Sequence, residues 1–280
     1  MTDRVVLITG ATRGIGKATA HALAKLGDTV VVSGRDPALT AATVAEIRAA
    51  SGNEAVSGMV ADLASQVAVR GLVAEVREKL PRLDVLINNA GGIFDRQVTV
   101  DGLEQTFAVD HLAPFILTNG LLDLLKASAP ARVITVSSVA HMGGAINFDD
   151  LQGERKYRAM DAYAQAKLAN ILFAKELARR LEGSGVTSNA VHPGAVATGF
   201  GREGPRWMRL GVKLVKPFEM SPEKSARQLV WLATAPELAT TTGQYFSGGK
   251  VKPGSQKSRD MDVAARLWEV SEALVATPAG

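Results

Sequence analysis

Six short runs rich in β-branched and apolar residues recur along the chain: RVVLIT (4–9), DTVVVSG (28–34), AVSGMVAD (55–62), LDVLINN (83–89), ARVITVSS (131–138) and VTSNAVHP (186–193). Longer alanine- and leucine-rich stretches such as GIGKATAHALAKLG and PALTAATVAEIRAASG lie between them. A strand that is apolar on both faces needs cover on both faces. Helices long enough to cross over the sheet supply that cover when the strands run parallel. The alternation therefore predicts one doubly wound α/β domain over residues 1–280, with a parallel sheet and helices on both faces. GGKVK (248–252), following GQYF, is expected to add a final strand. Ser221-Pro222-Glu223 reads as a helix start, with a capping hydroxyl, a proline in the first turn and an early acid. ARLWEVSEALV reads as a closing amphipathic helix.

Composition narrows the function classes. Of the 280 residues 46% are hydrophobic and 21% charged, as in an ordinary soluble globule. A net charge of +4, with no long basic run or zinc-finger spacing, gives no reason to expect nucleic acid. Cysteine is absent, which removes disulfides, thiol nucleophiles and Cys-based metal sites. His21, His111, His141 and His192 have no paired ligand spacing, so no metal is expected. No apolar run approaches the roughly twenty residues that span a bilayer. MTDRVVLITG enters a strand at once, and a cytoplasmic location without a membrane span is the expectation; a homo-oligomer is compatible with the chain.

The first strand runs into TGATRGIGKATA, where Gly10, Gly14 and Gly16 bracket the turn into a helix. Glycines there let the backbone approach a pyrophosphate, and the helix N-terminus offers unpaired N–H groups and positive potential. Dinucleotide binding follows. The acid that would hold an NAD ribose belongs about twenty residues after the loop; that position is near Gly34, followed by Arg35 and Asp36. With Arg13 in the loop, two guanidiniums are available to a 2′-phosphate, which favours NADP(H).

DAYAQAKLA (161–169) places a phenol and an amine four residues apart in a helix-forming run. Tyr163 and Lys167 therefore share a helix face. A cation beside a phenol favours the phenolate, which would bring Tyr163 toward useful acidity.

In this order, TGATRGIG, NNAG (88–91), Ser138 closing VITVSS, YAQAK (163–167) and HPGAVAT (192–198) resemble the short-chain dehydrogenase/reductase family and its Rossmann domain. FAVDHLAPFILTNGLL, NFDDLQGERKY and KLANILFAKELARRLEGSGV are similar to its retinol-dehydrogenase-like branch. The resemblance implies an NADP(H)-dependent oxidoreductase, a carbonyl reductase in its favoured direction, that interconverts carbonyl and alcohol on a lipophilic small molecule. Tyr163 would exchange a proton with the substrate oxygen, Lys167 would lower its pKa and hold the nicotinamide ribose, and Ser138 would bind the substrate oxygen. Ser137 is the rival to Ser138, since strand alternation lets only one face the site. The cofactor would be lined by Gly10, Thr12, Arg13, Gly14, Ile15 and Gly16 in the loop, by Arg35, and by Asp62 and Leu63 near the adenine. Asn88, Ala90 and Gly91 from the middle of the chain, and Pro193, Gly194, Val196 and Thr198 beyond the sixth strand, complete that lining. Asn89 would serve as well as a strand-linking amide. Residues 200–220, mixing cations with an apolar stripe, would form a lid. Asp110 departs from the family, which usually has asparagine there holding a relay water. It joins the catalytic set with an added charge near Lys167, and it raises the alternative of non-redox chemistry (a dehydratase, cyclase or isomerase).

Overall fold

In the computed structural model, residues 4–194 and 220–276 are described. Eight strands form one sheet: β1 (Val5–Thr9), β2 (Thr29–Gly34), β3 (Val56–Val60), β4 (Val85–Asn88), β5 (Ala131–Val136), β6 (Val186–His192), β7 (Tyr245–Ser247) and β8 (Lys250–Lys252). Their spatial order is β3-β2-β1-β4-β5-β6-β7-β8. The first seven pair in parallel; β8 returns antiparallel beside β7. GGKVK does supply the last strand, but YFS just before it takes the last parallel place. Gly248 and Gly249, at φ +62° and +72°, reverse the chain between them, leaving no room for a crossover.

Alternation along each strand divides the core between the two faces. Leu7, Val31, Leu86 and Val133 pack on one side beneath α3 (Gln66–Lys79), α5 (Ala113–Gly120) and α7 (Ala159–Arg180), with the short α4 (Gln105–Phe107) and α6 (Leu122–Ala127) on either side of α5 in the chain. Val6, Ile8, Val32, Ile87 and Ile134 pack on the other beneath α1 (Gly14–Lys25), α2 (Pro37–Ser51) and α8 (Pro222–Thr234). Ser221 caps α8 by accepting from the Lys224 N–H, as its sequence requires. The closing helix, α9 (Met261–Ala276), lays Trp268 against Phe115 (4.8 Å) and Phe173 (5.8 Å), and Arg180 covers the indole at 4.3 Å. Among the described residues no helix is long and apolar enough to cross a membrane.

The chain direction reverses its sheet placement between β1 and β4. In such sheets the crevice for a ligand opens at the carboxyl ends of the strands. The described site candidates from the strand-end motifs lie at or just beyond the carboxyl ends of β1, β2, β3, β4, β5 and β6.

Candidate active site

The glycine loop is shaped by contacts that only glycine permits. Gly10 has φ +62°, and a Cβ there would lie 2.8 Å from the Ala90 backbone. At Gly16 a Cβ would lie 2.5 Å from Asn89 Nδ2. Thr9 Oγ1 accepts from the N–H groups of both Asn89 and Ala90 at 3.1 Å, and Asn89 Nδ2 donates to the carbonyls of Thr9 (2.8 Å) and Gly10 (3.1 Å). Asn89 is thus the strand-linking amide. Asn88 points to the other side, where its Nδ2 donates to Thr118 Oγ1 at 3.0 Å on α5, so any contact it makes at the loop is through its backbone.

These residues fit a dinucleotide pyrophosphate. Arg13, the N-cap of α1, provides no side-chain cap, and the first turn carries no acid. The leading N–H groups of a twelve-residue helix therefore keep their capacity for an anion. At the end of β2, a Cβ on Gly34 would run into Thr12 Cγ2 and lie 2.6 Å from Thr40 Oγ1, so an acid there would have to displace both threonine side chains. Asp36 is committed as the N-cap of α2, accepting from the Leu39 N–H at 3.0 Å. Arg13 and Arg35 are both exposed on this rim. Asp62 follows β3, accepting from the Ala64 N–H, and Leu63 packs against the core.

The catalytic candidates converge between β5 and α7. Tyr163 is 5% exposed and Lys167 3%; the ammonium lies 5.3 Å from the phenol ring centroid. The Tyr163 hydroxyl interacts with Ser138, which also accepts from the Ala140 N–H. Ser137 is the structural partner instead, donating to the Lys167 carbonyl at 2.7 Å. His141 braces Ser138 from behind: its Nε2 accepts from the Ser255 N–H at 3.2 Å, so Nδ1 carries the proton and donates to the Ser138 carbonyl at 2.7 Å. Burial lowers the His141 pKa, which keeps this neutral tautomer. Nothing in the scattered histidine spacing signalled this role; the signal is that His141 follows Ser138 by three residues, one tight turn away.

Asp110 sits in a π-helical turn (Ala108–Leu112) and is fully buried. One carboxylate oxygen pairs with Lys167 Nζ at 2.8 Å, and the other accepts from the Gly92 N–H at 2.9 Å. A Cβ on Gly91 would lie 2.9 Å from both Asp110 Oδ1 and Lys167 Nζ, so glycine is what lets the NNAG segment lie on the pair. Extra-residue turns of this kind are common at functional sites, because they swing one side chain off the helical register.

The charges here oppose burial. Burial raises the Asp110 pKa more than Lys167 lowers it. For Lys167 burial is the largest single influence and lowers the pKa, but Asp110 and Tyr163 together outweigh it and the net shift is upward. Tyr163 is pushed up, by burial first, with Lys167 pulling down and Asp110 pushing up again. The expected net depression of the Tyr163 pKa by its lysine neighbour is therefore not what the folded chain does: desolvation of the phenolate and the aspartate charge exceed the lysine's effect.

Ile93, Ala159 and Tyr163 form a small apolar cluster, with Ala140 and Tyr157 packed on it. Val139, Met142 and Met160 are exposed nearby in sequence, on the turn after Ser138 and at the head of α7. Pro193 and Gly194 follow β6, and Gly194, at φ +104°, abuts Met220. Val196, Thr198 and the lid segment from residue 200 to 219 lie outside the described residues.

The model of the short chain dehydrogenase family matches residues 4–209. The chain belongs to that family. Within it the chain falls in the retinol-dehydrogenase-like branch: it is 45% identical over 279 residues to retinol dehydrogenase 13 of Homo sapiens, covering 97% of this chain and 84% of that protein. Among solved structures it is similar to an uncharacterized protein from Mycobacterium Paratuberculosis (34% identity, TM-score 0.79, covering 99% of this chain and 95% of the other). It is also similar to a short chain dehydrogenase from Burkholderia cenocepacia J2315 in complex with NADP (27% identity, TM-score 0.69, covering 87% and 95%). As a member of this family the protein is an oxidoreductase that uses a nicotinamide dinucleotide.

Proposed function

We propose that the protein is an NADP(H)-dependent reductase that converts a carbonyl to an alcohol on a lipophilic small molecule, with retinoid-like aldehydes the first class to try. The observation that carries this reading is the Tyr163 phenol, buried against Ser138 and Lys167 in an apolar cluster. The substrate class rests on that cluster, on the exposed Val139, Met142 and Met160, and on the name of the relative.

The bound dinucleotide supplies the hydride. Ser138 Oγ donates to the substrate oxygen and steadies the charge that develops on it. Tyr163 delivers the proton to that oxygen. Its raised pKa keeps the phenol protonated at neutral pH, the state that a general acid for reduction needs. Lys167 has three N–H donors; Asp110 and the Val136 carbonyl engage two, leaving one for the nicotinamide ribose hydroxyls. Asp110 keeps that ammonium charged in spite of burial. The preference for NADPH is supported by Arg13 and Arg35 at the rim, by the crowded position at Gly34 and by the commitment of Asp36 to its helix cap.

The test is oxidation of NADPH and of NADH against a panel of aldehydes and ketones of increasing apolar length, with the alcohol product identified. Faster turnover with NADPH and rising kcat/KM with apolar length are expected. Turnover confined to NADH, or none of the carbonyls being reduced, overturns the assignment.

A further inference from the structure

The carbonyl of Val136, last residue of β5, accepts from two side chains of α7: Asn170 Nδ2 at 3.1 Å and Lys167 Nζ at 3.4 Å. Three residues apart, the two donors lie along one strip of the helix. Polar contacts continue beyond Asn170. His111, in the same π turn as Asp110, is 1% exposed and its imidazole interacts with Asn170. Its Nε2 lies 3.0 Å from the Ser271 hydroxyl of α9. Ser271 is itself fully buried, and among the described residues its hydroxyl makes no other hydrogen bond, so it donates to Nε2 and the imidazole proton resides on Nδ1. His111 Nδ1 and Asn170 Oδ1 are both buried and neither makes a hydrogen bond within geometric limits, so each is the complementary group left for the other, a donor facing an acceptor. The rings of Phe107 (4.9 Å), Phe173 (6.2 Å) and Phe115 (6.3 Å) surround the imidazole.

We propose that Ser271, His111 and Asn170 are positioning residues for Lys167, a buried row of polar side chains that runs from the last helix to the carbonyl the ammonium shares. Asn170 occupies part of that carbonyl's acceptor capacity. The ammonium is left only a long bond to Val136 and stays leaning toward Asp110 and Tyr163. Without the Asn170 amide the carbonyl draws Nζ toward β5 and away from the phenol. Ser271 acts one step further out: it fixes the imidazole, which fixes the rotamer of Asn170. This rests on the reading of Lys167 as the cation that governs Tyr163. The titratable groups around the pair are Asp110 in the π turn, Glu104 ahead of it, His111 behind it, and His141 beyond Ser138.

The experiment titrates the Tyr163 phenol by ultraviolet difference, subtracting Tyr163→Phe from each background, and needs no turnover. The chain holds three tyrosines; burial pushes Tyr245 up to about 12 and Tyr157 higher still, and both cancel in the subtraction. Ser271→Ala and Asn170→Ala are expected to raise the Tyr163 midpoint by at least about half a unit. They should also lower kcat by about three- to tenfold, the size one neutral hydrogen bond carries, with substrate KM unchanged. Ser271→Thr, which keeps the hydroxyl, should restore both. Ser271→Ala removes one oxygen and serves where Asn170→Ala fails to fold. An unmoved midpoint in a folded Ser271→Ala protein overturns the proposal, as does a lower melting temperature with the titration unchanged. A shifted midpoint in a protein that reduces no carbonyl leaves the positioning chain standing and overturns the functional reading instead.

Discussion

Replacing Asp110 by Asn removes a buried charge while keeping the shape of the side chain. The carboxylate oxygen is 2.8 Å from Lys167 Nζ, and Nζ is 5.3 Å from the Tyr163 ring centroid, which puts the charge within about 8 Å of the ring. At an effective dielectric of about 20, a unit charge at that range acts on a phenolate with ~2 kcal/mol, or about 1.5 pKa units. Removing it relieves Tyr163, whose pKa the aspartate holds up. The alkaline limb of alcohol oxidation should then move toward neutrality by about one unit, with reduction at neutral pH retained. Lys167 loses its ion-pair partner in a buried site, a loss that costs up to about 3–5 kcal/mol, partly offset because the Asn oxygen still accepts from Nζ. A lower melting temperature should accompany the kinetic shift. The assay is a pH–rate profile of both proteins in the oxidative direction. An unmoved limb refutes the coupling between Asp110 and Tyr163, and an upward move refutes the premise that Lys167 keeps its charge without the aspartate. Loss of reduction would assign the carboxylate a chemical role of its own.

Tyr163→Phe keeps the ring and removes the proton donor, so carbonyl reduction should fall at least about a hundredfold while dinucleotide binding, followed by fluorescence, survives. Arg35→Ala should weaken NADPH binding by roughly ten- to a hundredfold, the worth of one charge-assisted hydrogen bond, and leave NADH nearly unchanged; equal losses for both would refute the 2′-phosphate role. Burial holds the His111 pKa down at about 4, against 6.5 when free. Between those values the unfolded chain binds the extra proton, so stability is complete above about pH 6.5 and falls on acidification, by about 3 kcal/mol at pH 4. His141 and His192, also lowered by burial, add to the slope. Thermal melts across that range should show a shallower acid slope in His111→Gln than in the parent protein.

Much of the site was legible because the residues involved serve local geometry. TGATRGIG lies within a single strand–turn–helix unit, where the glycines, the helix N-terminus and the crevice follow from a few adjacent torsions. Tyr163 and Lys167 share a face because helical period alone puts them there. The choice of Ser138 over Ser137 was not local: it depended on which side of β5 receives α7, and the Ser137 bond to the Lys167 carbonyl resolved it. Asn88 and Asn89 divided their tasks for the same reason, one reaching α5 and the other the β1 turn.

What the sequence by itself determined is the alternation of elements, the two-faced core, the helix cap at Ser221 and the identity of the chemical groups. These follow from periodicity and from bonds between residues a few positions apart. Only the tertiary structure decided the antiparallel return of β8, the direct Asp110–Lys167 pair, the net rise of the Tyr163 pKa, and the meeting of Ser271 with His111 and of Asn170 with Val136. Each of these joins residues distant in the chain, and the electrostatic ones depend on burial. A charge's influence on a phenol is set by its distance and by the water excluded between them, and neither exists until β5, the π turn, α7 and α9 have packed together.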